Sequence, residues 1–498
     1  MSTPRSPRIK HIHFIGIGGI GMSGIAQVLM EQGYAVSGSD LRRSEETARL
    51  ERMGARIGYG HRAEHIGDAD LVVYSSAVKP SNPEWMEAAR RHIPIRRRAE
   101  VLGDLTRMGT SIGVAGTHGK TTTTAMIGWI LTEAGMDPTI LVGGNVLGME
   151  SNARLGRGGP VVVEADEFDR SFLALFPTVA VITTLEAEHL DCYKDIEDLK
   201  AAFVEYANRA PFYGAVIACL DEKNVRDILP DLLPQPNLRQ VANLREVACF
   251  PRIERPVITY GVHPDANLRA RNVRFGEGAS SFEVIREGAP LGTARLRNPG
   301  LHNVKNALAA IAVGLQVGLA FGEIQKALST FAGVHRRFEI KGRVCGITVV
   351  DDYAHHPTEV TATLEAARQG NYARILVAFQ PHLYSRTRDF AGDFGRAFSQ
   401  ADVLVVTDVY AAREEPLPGV TGALVAEAAE RSGTPEVFYV ADRNKVAQTI
   451  ADLACPGDLV IVMGAGDIEQ VGGELVALLK KRKTHRKAAK CAKKDHEK

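Results

Sequence analysis

Between Gly113 and Thr124 the chain reads GVAGTHGKTTTT, which holds the parts of a triphosphate-binding loop on an unusual spacing. Gly116, Gly119 and Lys120 follow an apolar strand pattern, and Thr121 and Thr122 open a helical one. The common phosphate loop asks for Gly, four residues, then Gly-Lys-Ser/Thr; counting back from Gly119, Val114 stands where its first glycine belongs. The physical parts are present all the same. Backbone N–H groups at a helix start lack partners within the helix, and the dipole there favours an anion. Glycines let that backbone, with Thr117 and His118 between them, come close to phosphates. The Lys120 ammonium can neutralise β- and γ-phosphates, and the Thr121 hydroxyl can ligate Mg²⁺. The plainer reading is a glycine turn with a helix-capping threonine; the Gly-Lys-Thr triplet in this setting favours phosphate.

The first loop along the chain, Gly16-x-Gly18-x-x-Gly21, fits the dinucleotide spacing without a flaw. It follows a strand pattern and opens a helix, and Asp40 ends the next strand, where an acid would meet a ribose hydroxyl. NAD is the default ligand of such a loop, so a dehydrogenase is the rival reading. The same anion-binding geometry would hold the pyrophosphate of a UDP-sugar. Nothing later in the chain supplies a clear hydride-transfer site, and a triphosphate-type loop has no role in a dehydrogenase.

These loops need strands and helices to hold them, and the chain supplies three blocks of alternating pattern. HIHFIGIGGIGMSGIAQVLMEQGYAVSGSD reads as one strand–helix–strand unit; DLVVYSSAV adds a strand. SIGVAGTHGKTTTTAMIGWILTEAG repeats the layout, and GPVVVEADEFD and TVAVITTLEAEHLD add strands with acidic or histidine ends. The stretch from Pro230 to Arg255 has no clear period and reads as a connector or a peripheral sheet. The last block holds ITVVDDYAHHP, RILVAFQPHLYSRT, VLVVTDVYAARE and DLVIVMGAGD. Such alternation predicts an α/β fold with parallel sheets throughout, divided as 1–108, 109–333 and 334–480. At 498 residues the chain is too long for one core. No run approaches a membrane span, MSTPRSPRIK lacks the apolar core of a secretory signal, and the six cysteines are scattered as reduced thiols would be. A soluble cytoplasmic protein is expected. The tail from Lys480 has ten Lys/Arg against two acids, a local +8 that leaves about −7 for the remainder. We read 481–498 as a disordered, solvated end rather than a nucleic-acid or lipid anchor.

The Gly113–Thr124 loop, the HN-x-x-N helix from His302 and DDYAHHPTE together resemble the Mur ligases, the ATP-dependent amino-acid ligases of bacterial cell-wall synthesis. GIGGIGMSGIA, SGSD, DDYAHHPTEV and FQPHLYSRT narrow the resemblance to the branch that joins L-alanine to UDP-N-acetylmuramate. The likeness runs from about residue 10 to 475 with the motifs in matching order. It implies an N-terminal Rossmann-like domain for the UDP-sugar, a central P-loop ATPase-type α/β domain for ATP, and a C-terminal Rossmann-like domain. It also implies ADP-forming ligation through an acyl phosphate, with Mg²⁺, in peptidoglycan precursor synthesis. The expected partners are small molecules, with no nucleic acid or membrane, and the chain would be a monomer or weak homodimer. A dead homologue that merely senses the sugar nucleotide is the third reading, disfavoured by the presence of Lys120, Glu164 and His189.

The resemblance assigns roles to individual residues. Lys120, Glu164, His189 and Arg337 would be catalytic, with Thr121, Glu164 and His189 at the metal. On sequence grounds alone Asp166 or Glu167 could replace Glu164, and His189 would be a polar strand-end residue. Gly116 to Thr122, Asn303, Asn306, Arg337 and Asp352 would bind ATP; Asn303 also suits a helix N-cap, and Arg336 competes with Arg337. Gly16, Gly18, Gly21, Ser23, Asp40, Ser75, Ser76 and Ala77 match segments that hold UDP. Tyr353, His355, His382 and Arg386 match positions around the incoming alanine, where an arginine can grip its carboxylate. Three departures stand out: Phe168 and Thr184 replace a common Ser and Asn, and Leu383 stands where some relatives carry an arginine.

Overall fold

The computed structural model describes residues 8–149, 151–186, 192–232, 255–276, 278–412 and 414–495, the last thirteen of these as backbone only. Three sheets carry the chain. The first takes β1 (His11–Ile15), β2 (Ala35–Asp40), β3 (Arg56–Tyr59), β4 (Leu71–Tyr74) and β5 (Ile95–Arg97) in the order β3-β2-β1-β4-β5. All its neighbours are parallel. Its helices are α1 (Ile20–Glu31), α2 (Glu45–Arg52), α3 (Pro83–Arg90) and α4 (Arg98–Thr106). Local chemistry fixes their starts. The Ser44 hydroxyl accepts from Thr47 N–H to open α2, and Asn82 caps α3 with Pro83 in its first turn.

The second sheet holds β6 (Thr110–Ala115), β7 (Thr139–Leu141), β8 (Ala153–Arg154), β9 (Pro160–Glu164), β10 (Val179–Ile182), β11 (Ala215–Cys219), β12 (Val257–Gly261), β13 (Leu268–Gly276), β14 (Ala279–Arg286) and β15 (Ala289–Leu296). Their order is β15-β14-β13-β12-β11-β10-β6-β9-β7-β8. The strands β6, β10 and β11 are buried along nearly their whole length, as the interior strands of a sheet covered on both faces must be. Helices α5 (Lys120–Glu133), α6 (Ile196–Asn208), α7 (Lys223–Leu232), α8 (Leu301–Gln316) and α9 (Phe321–Thr330) accompany it. Most of the expected connector from Pro230 to Arg255 lies outside the described residues.

The third sheet runs β16-β17-β21-β18-β19-β20, from β16 (Glu339–Val344), β17 (Ile347–Asp352), β18 (Ile375–Phe379), β19 (Val403–Val406), β20 (Glu436–Tyr439) and β21 (Leu459–Met463). Alternate residues of β18 feed separate cores: Ile375, Val377 and Phe379 on one face, Leu376 and Ala378 on the other. Helices α10 (Pro357–Arg368), α11 (Tyr384–Ala397), α12 (Ala423–Arg431) and α13 (Arg443–Leu453) lie between its strands in sequence. Helix α14 (Glu469–Asp495) continues through most of the basic tail, where composition led us to expect a disordered end.

The sheets are not parallel throughout. Strands β7 and β8 pair antiparallel, as do β16 and β17. Only Cys345 and Gly346 join the latter pair, both at positive φ (55° and 78°). A two-residue connection of that hand can join only antiparallel neighbours. The first sheet and most of the second belong to one compact unit, and the third sheet belongs to another, which also takes in 274–281 and 296–303. Among the described residues, no helix is long and apolar enough to cross a membrane. Cys219, Cys345 and Cys455 are free thiols.

Candidate active site

In the first compact unit, both glycine loops sit at the carboxyl ends of parallel strands. Strand β1 turns at Gly16 (φ +81°), whose N–H donates to the Ser39 carbonyl at 2.8 Å. The Asp40 carboxylate is engaged by the backbone around it. One of its carboxylate oxygens accepts from Gly18 N–H at 2.8 Å and the other from Leu41 N–H at 2.7 Å, so it pins the loop. Ser23 is fully buried, and its hydroxyl donates to the Ile20 carbonyl inside α1. Ser76 and Ala77 are exposed in the turn after β4. Ser75, with Gly19, Ile20, Gly21 and Met22, lines a cleft of about 360 Å³ whose far wall is Leu141–Gly143, Asn152, Glu164 and Asp166.

The irregular loop follows β6. Gly116 has φ +143°, and a Cβ there would lie 2.0 Å from the Thr183 hydroxyl. Gly119 (φ +81°) precedes α5, and a Cβ on it would fall 2.6 Å from Asn306 Oδ1, so α8 delivers Asn306 to the loop. The loop backbone is tied to the segment after β10. Thr117 N–H donates to the Thr184 carbonyl at 3.0 Å, and His118 N–H to the Thr184 hydroxyl at 2.7 Å. Thr184, a departure from the common residue, therefore has a bonding task of its own.

Three acids compete in sequence for the metal, and the structure gives each a different partner. The Lys120 ammonium donates to both Glu167 oxygens at 2.8 and 2.9 Å and to the Gly116 carbonyl at 2.6 Å. Glu164 instead accepts from the Thr121 hydroxyl at 3.0 Å and from Gly143 N–H at 2.7 Å. Asp166 faces Arg98 at 3.8 Å. Burial works against the Lys120 charge, yet Glu167, Asp166 and Glu164 together hold its pKa above the ordinary value. Burial pushes the Glu164 and Glu167 carboxyls up, and the Lys120 charge pulls each back. His189 lies outside the described residues.

The second unit gathers the remaining predicted residues. Asn303 donates its side-chain N–H to the Pro299 carbonyl at 2.7 Å at the start of α8. Asp352 is buried and its oxygens accept from Phe338 and Ala354 N–H at 2.8 and 2.9 Å, an anchoring role for a residue expected at the nucleotide. Arg337 pairs with Glu359 at 3.3 Å, whereas Arg336 is bound to Glu469 at 2.9 Å and Asp351 at 3.4 Å. Rings of Tyr353, His355 and His382 follow one another edge-on, with centroids 5.1 and 5.6 Å apart. Arg386 lies in the first turn of α11 and has a buried guanidinium nitrogen with no hydrogen-bond partner among the described residues. Leu383, just before that helix, holds φ +70°.

Three family models match the chain in succession: the Mur ligase family catalytic domain over residues 11–110, the Mur ligase middle domain over 114–314, and the Mur ligase glutamate ligase domain over 336–466. A UDP-N-acetylmuramate–L-alanine ligase of Salinibacter ruber is 51% identical over 478 residues, 96% of this chain and 96% of its own. The chain belongs to the Mur ligase family. Another ligase of that name, from Geotalea uraniireducens, is 48% identical over 95% of this chain and 99% of its own. Among solved structures, a UDP-N-acetylmuramate-alanine ligase of Thermotoga maritima aligns with a TM-score of 0.78 at 29% identity, over 95% of this chain and 99% of that one. A murein peptide ligase of Psychrobacter arcticus aligns at 0.66 with 25% identity, over 94% and 98%. The dehydrogenase reading of the first loop falls with these matches.

Sequence reasoning missed two features of this Mur ligase. Glu167 appeared only as an alternative metal acid, and nothing assigned it to Lys120. Arg98 was not singled out at all, although it closes the conspicuous run Arg96-Arg97-Arg98 just where α4 begins.

Proposed function

We infer that this Mur ligase joins L-alanine to the lactyl carboxylate of UDP-N-acetylmuramate at the expense of ATP, in peptidoglycan precursor synthesis. The observation that carries this reading is one cleft walled on one side by the dinucleotide-type loop and on the other by Glu164, which bonds Thr121 beside Lys120. A sugar nucleotide on the first loop and a triphosphate on the second would face each other across it. The near-complete matches to L-alanine ligases support the choice of substrates. Domain boundaries at 108 and 333 belong to the same reading, as does a monomer or weak homodimer.

A carboxylate and an amine do not condense in neutral water, so the carboxylate needs a leaving group. Its oxygen attacks the ATP γ-phosphorus, the bond to the β-phosphate oxygen breaks, and ADP departs. The alanine amine then displaces phosphate from the acyl carbon. Two anions meet in the first step, and their repulsion at ~4 Å is roughly 4 kcal/mol at an effective dielectric of 20. Lys120 supplies one offsetting charge. Its bonds to Gly116 and Glu167 hold the ammonium at the loop where the phosphates would lie. Gly116 and Gly119 leave no room for a side chain beside Thr183 and Asn306, and the N–H groups that open α5 after Gly119 suit a phosphate chain. Thr121 and Glu164 offer adjacent hard oxygens of the kind Mg²⁺ prefers, with His189 assigned by resemblance alone. When bound, the ion would neutralise phosphate charge. The family resemblance assigns Arg337 to the phosphates, and Tyr353, His355, His382 and Arg386 to the amino acid.

The test is alanine-dependent phosphate release from ATP, Mg²⁺, UDP-N-acetylmuramate and L-alanine. Lys120→Ala should lower turnover by about three orders of magnitude while UDP-N-acetylmuramate still binds. Absence of alanine-dependent release by the wild type would overturn the reading.

A further inference from the structure

The cleft contains a cation that neither glycine loop supplies. Arg98 opens α4, and its guanidinium lies against the first turn of α1: a Cβ on Gly21 would fall 2.8 Å from Nη1 and 3.5 Å from Cζ. Gly21 is thus the residue that lets the guanidinium come this close. On its other side Nη2 stands 3.8 Å from the Asp166 carboxylate, which is itself 42% exposed. That contact is long for a charged pair, and a guanidinium has five N–H donors in a planar fork. The charged residues that line the cleft besides Arg98 are Glu164 and Asp166, both acids. Helix α1 has no acid in its first turn and no side-chain cap. An anionic ligand entering here meets two carboxylates and one arginine.

We propose that Arg98 is the positioning residue that grips an oxyanion of the sugar nucleotide, trading its loose hold on Asp166 for the substrate's oxygens. The assignment rests on the function inferred above. The oxyanion is either the diphosphate, next to the first loop, or the lactyl carboxylate on its way to the Glu164 side. Both ask for the same bidentate chemistry, and the experiment tells them apart.

The full-length protein and its Arg98→Gln and Arg98→Lys variants would be titrated calorimetrically with UDP, UDP-N-acetylglucosamine and UDP-N-acetylmuramate. Loss of a charge-assisted hydrogen bond predicts roughly 10- to 100-fold weaker binding in Arg98→Gln. KM for UDP-N-acetylmuramate should rise while KM for ATP and the unfolding temperature stay at wild-type values. Arg98→Lys, which keeps the charge without the fork, should recover part of the loss. A deficit shared by all three ligands places the guanidinium on the diphosphate; one confined to UDP-N-acetylmuramate places it on the carboxylate. A wild type that binds none of the ligands would sink the functional reading instead. Wild-type affinity of both variants for all three ligands would overturn the role given to Arg98.

Discussion

Glu167→Gln separates the charge of the Lys120 pair from its shape. The two groups are 14% and 1% exposed, and the closest contact is 2.8 Å. At that distance and an effective dielectric of 20 the gross attraction is roughly 6 kcal/mol. Glutamine keeps the volume and one acceptor, and the ammonium keeps the carbonyls of Gly116 and Thr117. The net cost should therefore fall at the low end of that for breaking a buried pair, about 3 kcal/mol. For a domain of ordinary size this lowers the transition by about 6–12 °C. A bound triphosphate would restore the missing negative charge. Nucleotide should then raise the transition of the variant by more than it raises the wild type's. Scanning calorimetry with and without a non-hydrolysable ATP analogue and Mg²⁺ reads both quantities. A variant that unfolds at the wild-type temperature, or gains no more from nucleotide than the wild type, refutes the reasoning.

Gly119→Ala puts a methyl group 2.6 Å from Asn306 Oδ1 at φ +81°. The strain of about 1–3 kcal/mol should raise KM for ATP about tenfold or more, with UDP-N-acetylmuramate affinity unchanged in a fluorescence titration. Asp351→Asn tests a buried carboxyl that burial pushes up to about 6, against the pull of Arg336 and Lys341 and with Asp352 and Glu339 adding to the rise. Because the folded value exceeds the unfolded value near 3.9, its contribution is complete below about pH 4 and is lost as pH rises through about 6. Urea unfolding at pH 4 and pH 7 should show the variant gaining on the wild type by about 3 kcal/mol across that window; a gap that ignores pH contradicts it.

Features governed by the backbone were legible in the sequence; those decided by where distant segments meet were not. Both glycine loops stand where their strand–turn–helix patterns put them, and Thr121 meets Glu164 because it opens the helix that follows β6 while Glu164 ends the neighbouring strand β9. The acids in EADE were indistinguishable because the choice depends on the turn that follows. There Asp169 and Arg170 both take positive φ, near 54° and 53°, a conformation costly for such residues and unreadable from type alone. Tyr193 then fastens that turn by donating to the Glu167 carbonyl at 2.6 Å, from a segment 26 residues on. Asp40, read from its strand-end position as a ligand contact, also accepts from the N–H groups of Gly18 and Leu41, a loop-pinning task its position alone did not announce. Arg98 lies still further from local inference. Its run of three arginines looks like solvated surface until α4 is packed beside α1, and only then does the missing side chain of Gly21 become the space the guanidinium occupies. The two loops could be read because each needs only itself; the charge that would organise the cleft between them needs α4 laid against α1, two helices far apart in the chain, which is why it surfaced only in three dimensions.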